Sequence, residues 1–276
     1  MKRILPCLVL FLIYTTCLEA QVLKDSPVIY NADSVRAELD KKPYFSLFRD
    51  NYFAGGIPIG YKPNSRNSDV KFQISVAQRL TKSKLPFDTY LFLQYTQKAN
   101  WNVFQKSFPM RDLNFNPGIG LGHLIVRRNK YIGKGYVMFE HESNGRDSTA
   151  SRSWNRITFS ATVVLNNNWE AQFKTWIPFL AKSNKDLLKY YGVYQAAVNY
   201  RTDNRRLNCA VILTQRKQWF GFNTQVEVSY KFNHNENQYF FVQYYNGYGE
   251  NLLDYKKFKS MLRVGIVIKP RDFSIY

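Results

Sequence analysis

The chain has 276 residues, a formal net charge of +19 and an aromatic content of 17%. This length is enough for one large β domain or two ordinary domains. A charge this positive is found in nucleic-acid-binding proteins, but the lysines and arginines are spread along the chain, and the export signal described next argues against a nucleic-acid partner. We therefore expect the basic residues to meet phosphate-rich lipid headgroups.

Residues 1–20 have the organisation of a secretory signal peptide. Lys2 and Arg3 form the charged start, residues 5–13 the apolar middle and residues 18–20 the cleavage site. The apolar run is too short to be a membrane anchor. Cleavage would remove two of the three cysteines and leave only Cys209, so an internal disulfide is excluded.

Apolar and polar residues alternate throughout the rest of the chain, which predicts β-strands with one apolar face. Asn, Asp, Gly and Pro mark the connections between these segments. No apolar run is long enough for a transmembrane helix. Twelve strands are predicted, near residues 42–54, 69–80, 86–98, 113–126, 131–143, 152–165, 168–179, 190–202, 206–216, 219–232, 237–247 and 258–270.

The predicted fold class is all-β, a twelve-stranded antiparallel transmembrane β-barrel that forms a single outer-membrane domain over residues 21–276. An even strand number, export and the absence of any linker favour this fold. The high content of Tyr and Phe fits the aromatic girdles of such barrels. A soluble sandwich or a lipocalin-like barrel is the alternative, because alternation alone does not say which face points outward.

His141, Ser143 and Asn155 are the candidate catalytic residues. Residues i and i+2 of a strand share a face, so His141 and Ser143 can stand side by side as a base and a hydroxyl. Asn155, in the next predicted strand, can reach the far nitrogen of the imidazole. A nucleophile, a base and a group that orients the base are the parts of a nucleophilic triad.

Strand parity places this trio on the apolar face of both strands. His141 and Ser143 share a face with Phe139, whereas Glu140 and Glu142 occupy the other. Polar groups facing lipid are costly unless they have a function. An asparagine can orient the imidazole there without a buried carboxylate. On spacing alone, however, an ordinary turn after a strand end explains the same residues.

Two segments resemble the signature of outer-membrane phospholipase A, a family of lipolytic enzymes of Gram-negative bacteria. They are residues 141–146, His-Glu-Ser-Asn-Gly-Arg, and residues 151–156, Ser-Arg-Ser-Trp-Asn-Arg. The resemblance covers most of the mature chain and is long and specific. Further similar segments occur in the same order at residues 70–75, 95–98, 111–117 and 248–255.

The resemblance implies a twelve-stranded barrel in the outer membrane of a Gram-negative bacterium that hydrolyses phospholipid acyl esters. It implies Ser143 as the nucleophile, His141 as the base and Asn155 as the residue that orients His141. For the mechanism, we expect the backbone N–H of Gly145 to meet the oxyanion.

The resemblance also implies a calcium cofactor and a homodimer. The expected calcium ligands are Arg146 through its carbonyl, Ser151, and Ser107 of the partner subunit, all hard oxygen donors. Asp147 is either a further ligand or a solvated loop residue. Gln97, on the lipid-facing side, is expected to contact its copy across the dimer interface or to lie at the headgroup level.

Glu142 departs from the family pattern, which has glutamine there, and adds a charge near the site. The competing functions are a passive porin or a surface-binding barrel, which need no serine chemistry, and a soluble lipid binder. The sequence leaves open whether the first or the second acyl position (A1 or A2) is cleaved.

Overall fold

The computed structural model describes residues 32–128, 130–180, 184–218, 220–233, 237–270 and 275–276. The predicted signal peptide, residues 1–20, lies outside this part of the chain. Across the described residues, no helix combines the length and apolar character needed to cross a membrane.

Most of the described chain is in antiparallel strands. Within the described residues, two α-helices occur, α1 (Ala32–Asp40) and α2 (Leu188–Tyr191). The strands are β1 (Phe45–Leu47), β2 (Asn51–Pro58), β3 (Asp69–Arg79), β4 (Thr89–Trp101), β5 (Met110–Arg127), β6 (Lys130–Ser143), β7 (Ser153–Val164), β8 (Trp169–Leu180), β9 (Tyr194–Arg201), β10 (Leu207–Gln215), β11 (Phe222–Lys231), β12 (Gln238–Gly247) and β13 (Lys259–Ile268).

The strands β2 to β13 close into a barrel, because each pairs with its sequence neighbour and β13 pairs with β2. The short strand β1 pairs with the same edge of β3 as β2 does. Residues 48–50 separate β1 from β2 and turn into the interior, where all three are buried. One interrupted strand therefore occupies the predicted segment 42–54, and the predicted twelve-stranded barrel is confirmed.

The wall of the barrel is apolar outside and polar inside, the reverse of a soluble barrel. Phe139 and Val264 expose 49% and 59% of their surface, whereas Glu140 and Arg263 expose 1% and 0%. Apolar side chains alternate outward along the strands, as the sequence pattern predicts. The lipocalin-like alternative would place these apolar faces inside, and it is therefore wrong.

Ion pairs between charged side chains occupy much of the lumen. Arg263 donates two hydrogen bonds to Asp69, at 3.0 and 2.9 Å, and two to Glu250, at 2.5 and 3.2 Å. Lys71 adds a hydrogen bond to Glu250 at 3.2 Å. Charges so far from water are tolerated because each has several partners.

Most of the longer connections lie at one end of the barrel, the long-loop end, together with the predicted catalytic segment. Beneath them, Trp154, Trp176, Leu252 and Tyr255 pack with Leu187 in a buried apolar cluster.

Besides the interrupted segment 42–54, three predicted strands begin at least three residues later than their sequence pattern indicates. The strand of segment 219–232 begins at Phe222, and the other two segments start with a helical turn. The segment 86–98 starts with a 3₁₀ turn over Pro86–Asp88, in which Phe87 and Asp88 have positive φ, so β4 begins at Thr89. The segment 190–202 starts with the end of α2, which is followed by Gly192 at φ +62°. The strand β9 therefore begins at Tyr194.

Candidate active site

His141 and Asn155 face each other across the neighbouring strands β6 and β7. They are direct partners in the antiparallel register, and both side chains are half-buried on the outer wall. The imidazole Nδ1 lies 2.8 Å from the Asn155 amide oxygen. Because an amide oxygen only accepts hydrogen bonds, Nδ1 donates here, and Nε2 is the basic nitrogen of the neutral ring.

Ser143 lies two residues beyond His141, at the last position of β6 and on the same outward face. Alternate residues of a strand are about 6.6 Å apart along its axis, so the two side chains are neighbours on the wall. The structure thus brings His141 and Asn155 into a hydrogen bond and places Ser143 next along the same face.

Asn144 organises the loop of residues 144–152 that joins β6 to β7. Its amide oxygen accepts the backbone N–H of Arg152 at 2.9 Å, and its amide nitrogen donates to the Ala150 carbonyl at 3.0 Å. The Asn144 backbone N–H also donates to the Arg152 carbonyl. The side chain is 4% exposed, so these bonds are shielded from water. In the sequence, Asn144 is one residue of the segment 141–146 and shows no sign of this role, because its burial depends on the closed loop.

Gly145 has a left-handed backbone conformation, with φ at +62°. A Cβ atom at this position would lie 3.0 Å from the Phe115 ring. Both the backbone and the neighbouring ring therefore require glycine directly after Asn144.

Two oxygen atoms that could bind a metal ion lie in the same loop, the Arg146 carbonyl oxygen and the Ser151 hydroxyl oxygen. Among the described residues, none donates a hydrogen bond to either oxygen. The Arg146 guanidinium donates to the Arg111 carbonyl at 2.7 Å, and its Nε lies 3.8 Å from Asp112. Asp147 is exposed in this loop.

Ser107 lies in a different loop, between β4 and β5. Ser107 and Phe108 both have positive φ, at 66° and 46°. Such conformations cost about 1–3 kcal/mol each and persist only where the surroundings impose them. The Trp101 indole N–H helps to hold this loop conformation by donating a hydrogen bond to the Phe108 carbonyl at 2.7 Å. The predicted role of Ser107 concerns a second subunit and stays a prediction.

Three charged side chains form a luminal ion cluster directly behind the His141–Asn155 pair. Arg156 donates to both carboxylate oxygens of Glu140, at 2.9 and 3.2 Å, and to Glu142 at 2.7 Å. All three side chains are buried. The luminal ion cluster joins β6 to β7 at the level of the His141–Asn155 pair, and it therefore supports the backbone register that brings this pair together.

Glu142 points into the lumen, as strand parity predicts. Its carboxylate accepts hydrogen bonds from Arg156 and from the Trp154 indole, the latter at 3.1 Å. The extra charge is therefore balanced on the side of the wall opposite His141. The alternation of residues along the strands did not by itself reveal the partnership of Glu140 and Arg156. The register offered the signal, because pairing His141 with Asn155 places Glu140 opposite Arg156.

An apolar depression of about 520 Å³, the outer groove, begins at His141 and runs over the outside of the wall. It crosses β3, β4, β5 and β6 and reaches Phe45 of β1, and its walls are almost entirely apolar. Its lining includes Phe45, Leu93, Tyr95, Ile119, Phe139 and His141.

Gln97 lies on the same outer wall, half-buried in β4. Its amide oxygen accepts a hydrogen bond from the Tyr95 hydroxyl at 3.0 Å. The amide is therefore held in place within its own chain, and its expected contact with a second copy stays a prediction.

The sequence model of one family, phospholipase A1, matches residues 58–268. Phospholipase A1 of Klebsiella pneumoniae is 32% identical over 219 residues, which cover 74% of this chain and 72% of that protein. Phospholipase A1 of Escherichia coli K12 is 31% identical over 219 residues, or 74% of this chain and 71% of that protein.

The fold is also similar to solved structures. The outer membrane phospholipase dimer of Salmonella typhi, solved with bound calcium, matches with a TM-score of 0.73 and 26% identity over 87% of this chain and 99% of that one. Outer membrane phospholipase A of Escherichia coli matches with a TM-score of 0.72 and 24% identity over 84% of this chain and 99% of that one.

Proposed function

This chain belongs to the phospholipase A1 family of phospholipid-hydrolysing esterases, and we propose that Ser143, His141 and Asn155 are its catalytic triad. The matched region, residues 58–268, contains all three residues. The observation that carries the proposal is the 2.8 Å hydrogen bond between His141 and Asn155 on the outer wall of the barrel. The Ser143 hydroxyl lies two residues beyond His141 on the same face of β6.

In this proposal His141 is the general base. Its Nε2 removes the proton from the Ser143 hydroxyl while the serine oxygen attacks the acyl carbonyl of the phospholipid. When the ester bond breaks, the same proton passes to the leaving oxygen of the lysophospholipid. A water molecule then hydrolyses the acyl-serine in a second cycle of proton transfer through His141, and it releases the fatty acid.

Asn155 holds His141 in one tautomer and one orientation. A neutral amide performs this task on a lipid-facing wall without an ionised carboxylate, which would be costly to desolvate there. The imidazolium that forms during the reaction receives the dipole of the amide oxygen instead of a full negative charge.

The backbone N–H of Gly145 is the proposed oxyanion donor. The left-handed conformation of Gly145 sets the direction of the backbone just after the nucleophile. A fixed donor at this position stabilises the negative charge that develops on the carbonyl oxygen of the substrate.

The loop of residues 144–152 fits a calcium ion. The Arg146 carbonyl and the Ser151 hydroxyl are hard oxygen donors, and the described residues use neither in the hydrogen bonds of the loop. We propose these two groups and Ser107 of the partner subunit as calcium ligands. When bound, the ion supplies positive charge that favours an oxyanion beside Ser143.

We further propose that the active form is a homodimer, with Gln97 at the interface and the outer groove covered by the second barrel. An acyl chain in the outer groove would then be enclosed by protein along its length. The dimeric, calcium-bound relative from Salmonella typhi supports this assembly.

The barrel fold and the family relatives indicate the outer membrane. Export from a Gram-negative cytoplasm through a signal peptide at residues 1–20, followed by a single barrel domain over residues 21–276, completes the proposal. The long-loop end faces outward in this arrangement, because barrels of this class have short periplasmic turns and longer extracellular loops.

The test combines labelling with hydrolysis. A sulfonyl fluoride should label wild-type protein at Ser143, and Ser143→Ala should lose both labelling and the hydrolysis of a phospholipid with two different acyl chains. Calcium should raise the rate in wild type, and the released fatty acid identifies the A1 or A2 preference. Full activity in a folded Ser143→Ala barrel, recognised by its heat-dependent gel mobility, would end the triad assignment. The ion pairs that occupy much of the lumen make a passive porin the weaker alternative.

A further inference from the structure

An open cavity of about 570 Å³ lies among three loops at the long-loop end. Its walls come from the β2–β3, β4–β5 and β12–β13 connections and from the first residues of β3, β5 and β13. Four cationic side chains line it, and we name it the basic cavity: Arg66, Arg111, Lys257 and Lys259.

Carboxylates in and below the basic cavity are fewer than the cations, and cations share them. Asp254 accepts two hydrogen bonds from Arg111, at 2.7 and 2.6 Å, and also pairs with Lys257 at 3.0 Å. Two cationic side chains thus share one carboxylate at this wall, which leaves one positive charge in excess.

The carboxylates at the floor of the basic cavity are also engaged. Asp69 is held by Arg263 in a two-point contact. Glu250 pairs with Arg263, with Lys71 and, at 3.4 Å, with Lys259. Lys259 therefore shares its carboxylate with two deeper cations, and positive charge is left in excess at the opening.

Arg66 has no carboxylate partner among the described residues. The loop that carries it is nevertheless ordered by its own hydrogen bonds. The Asn64 side chain accepts the Arg66 backbone N–H at 2.9 Å, and Asn67 donates to the Lys62 carbonyl at 3.0 Å. These bonds hold Arg66 at the edge of the basic cavity at little further cost in backbone entropy when a ligand binds.

We propose that the basic cavity binds a phosphate group, carried either by a lipid headgroup or by a free phosphate anion. Guanidinium and ammonium groups that converge on one opening match the several oxygens and the charge of phosphate. The volume accommodates a diphosphate. This site is separate from the proposed catalytic triad, which lies on the outer wall.

The first experiment measures pyrophosphate binding by titration calorimetry. The full-length protein is held in a neutral maltoside detergent without calcium, because calcium itself binds pyrophosphate. Arg66→Gln combined with Lys257→Gln removes two cations and leaves Asp254 paired with Arg111. Lys217→Gln is the matched control, since Lys217 is an exposed cation at the same end of the barrel but outside the basic cavity.

The double variant should bind pyrophosphate at least about tenfold more weakly than wild type, whereas Lys217→Gln should bind it unchanged. Titration with a short-chain ether-linked phosphatidic acid, which has no acyl ester, distinguishes the source of the phosphate. Binding of both ligands with this variant pattern supports a site for phosphate itself, and binding of the lipid alone supports a headgroup site. Binding of neither ligand, or equal weakening by Lys217→Gln, would overturn the proposal. Heat-dependent gel mobility verifies that each variant is folded.

Discussion

Removal of the positive charge from the luminal ion cluster gives the sharpest test of how the wall supports the proposed triad. Arg156→Met keeps much of the side-chain length but deletes three hydrogen bonds, two to Glu140 and one to Glu142. Glu140 and Glu142 would then lie side by side on the luminal face of β6 without the cation that they share.

The expected cost follows from burial. Glu140 exposes 1% of its side chain and Arg156 exposes 10%. Breaking a buried pair by removing one partner costs about 3–5 kcal/mol when the remaining charge is left uncompensated. Because Arg49 stays 3.8 Å from Glu140 and offsets part of its charge, we expect a cost at the lower end of this range, about 3 kcal/mol. Adding Glu140→Gln to Arg156→Met should recover part of this loss, since the double variant removes one of the stranded charges. Glu142→Gln alone should cost less than Arg156→Met, because Arg156 keeps both of its bonds to Glu140.

Unfolding by guanidinium in detergent measures the stability, and hydrolysis of a micellar phospholipid measures kcat and KM. Arg156→Met should lower kcat more than it changes KM, because a loosened register between β6 and β7 separates His141 from Asn155. Arg201→Met is the matched control. Arg201 pairs with Glu170 at 3.3 Å, is 21% exposed and lies in β9, away from the site. An unchanged unfolding midpoint for Arg156→Met, or an equal loss of kcat in the control, would refute the reasoning.

Three further predictions follow from contacts at the long-loop end. Gly145→Ala should lower kcat about tenfold or more, because the new Cβ would lie 3.0 Å from the Phe115 ring and the alanine would have to adopt φ +62°. Gly60→Ala is the control, since Gly60 also has positive φ but has open space around it, and it should leave kcat unchanged. Equal losses of kcat in the two variants would contradict the proposal. Asn155→Ala should lower kcat by about tenfold, which corresponds to the loss of one neutral hydrogen bond of roughly 1–1.5 kcal/mol, and it should leave the unfolding midpoint nearly unchanged. A loss of kcat as large as that of Ser143→Ala would show that the amide does more than orient the ring. Burial opposes ionisation of Asp254, but hydrogen bonds from Arg111 and Lys257 outweigh it and lower the pKa to about 2. Because this pKa is depressed, its contribution to holding the loop is present above about pH 4 and is lost as the pH falls towards 2. Pepsin cleavage of residues 248–258, normalised to the cleavage of an unstructured peptide at the same pH, should therefore be faster at pH 2 than at pH 4. An identical rate in wild type and Asp254→Asn at pH 4 would count against this role.

The strand pattern predicted the barrel well because a period of two is a local signal. Each strand needs only its own residues to show which side chains share a face, and the outward positions of Phe139 and Val264 follow from that rule. The direction of the faces was not local information. It followed from export and strand number, and the structure confirms it through the buried charge of Arg263.

Features that depend on three-dimensional closure were beyond the pattern. The chain turns inward at residues 48–50, because Phe48 packs in the lumen against Phe92 and Tyr136. The burial of Asn144 likewise depends on a loop whose ends meet only after β6 and β7 pair. Long-range contacts of this kind have no periodic signature in the chain.

The outward display of His141 and Ser143 has a kinetic consequence for any catalysis at this wall. A substrate lipid reaches them by lateral diffusion within the plane of the membrane, and no solute needs to pass between the ion-paired side chains of the lumen. Encounter is then two-dimensional, and turnover is governed by the mole fraction of phospholipid in the surrounding surface. Diluting the substrate with an inert amphiphile should slow the reaction even when the amount of lipid per volume of suspension is held constant.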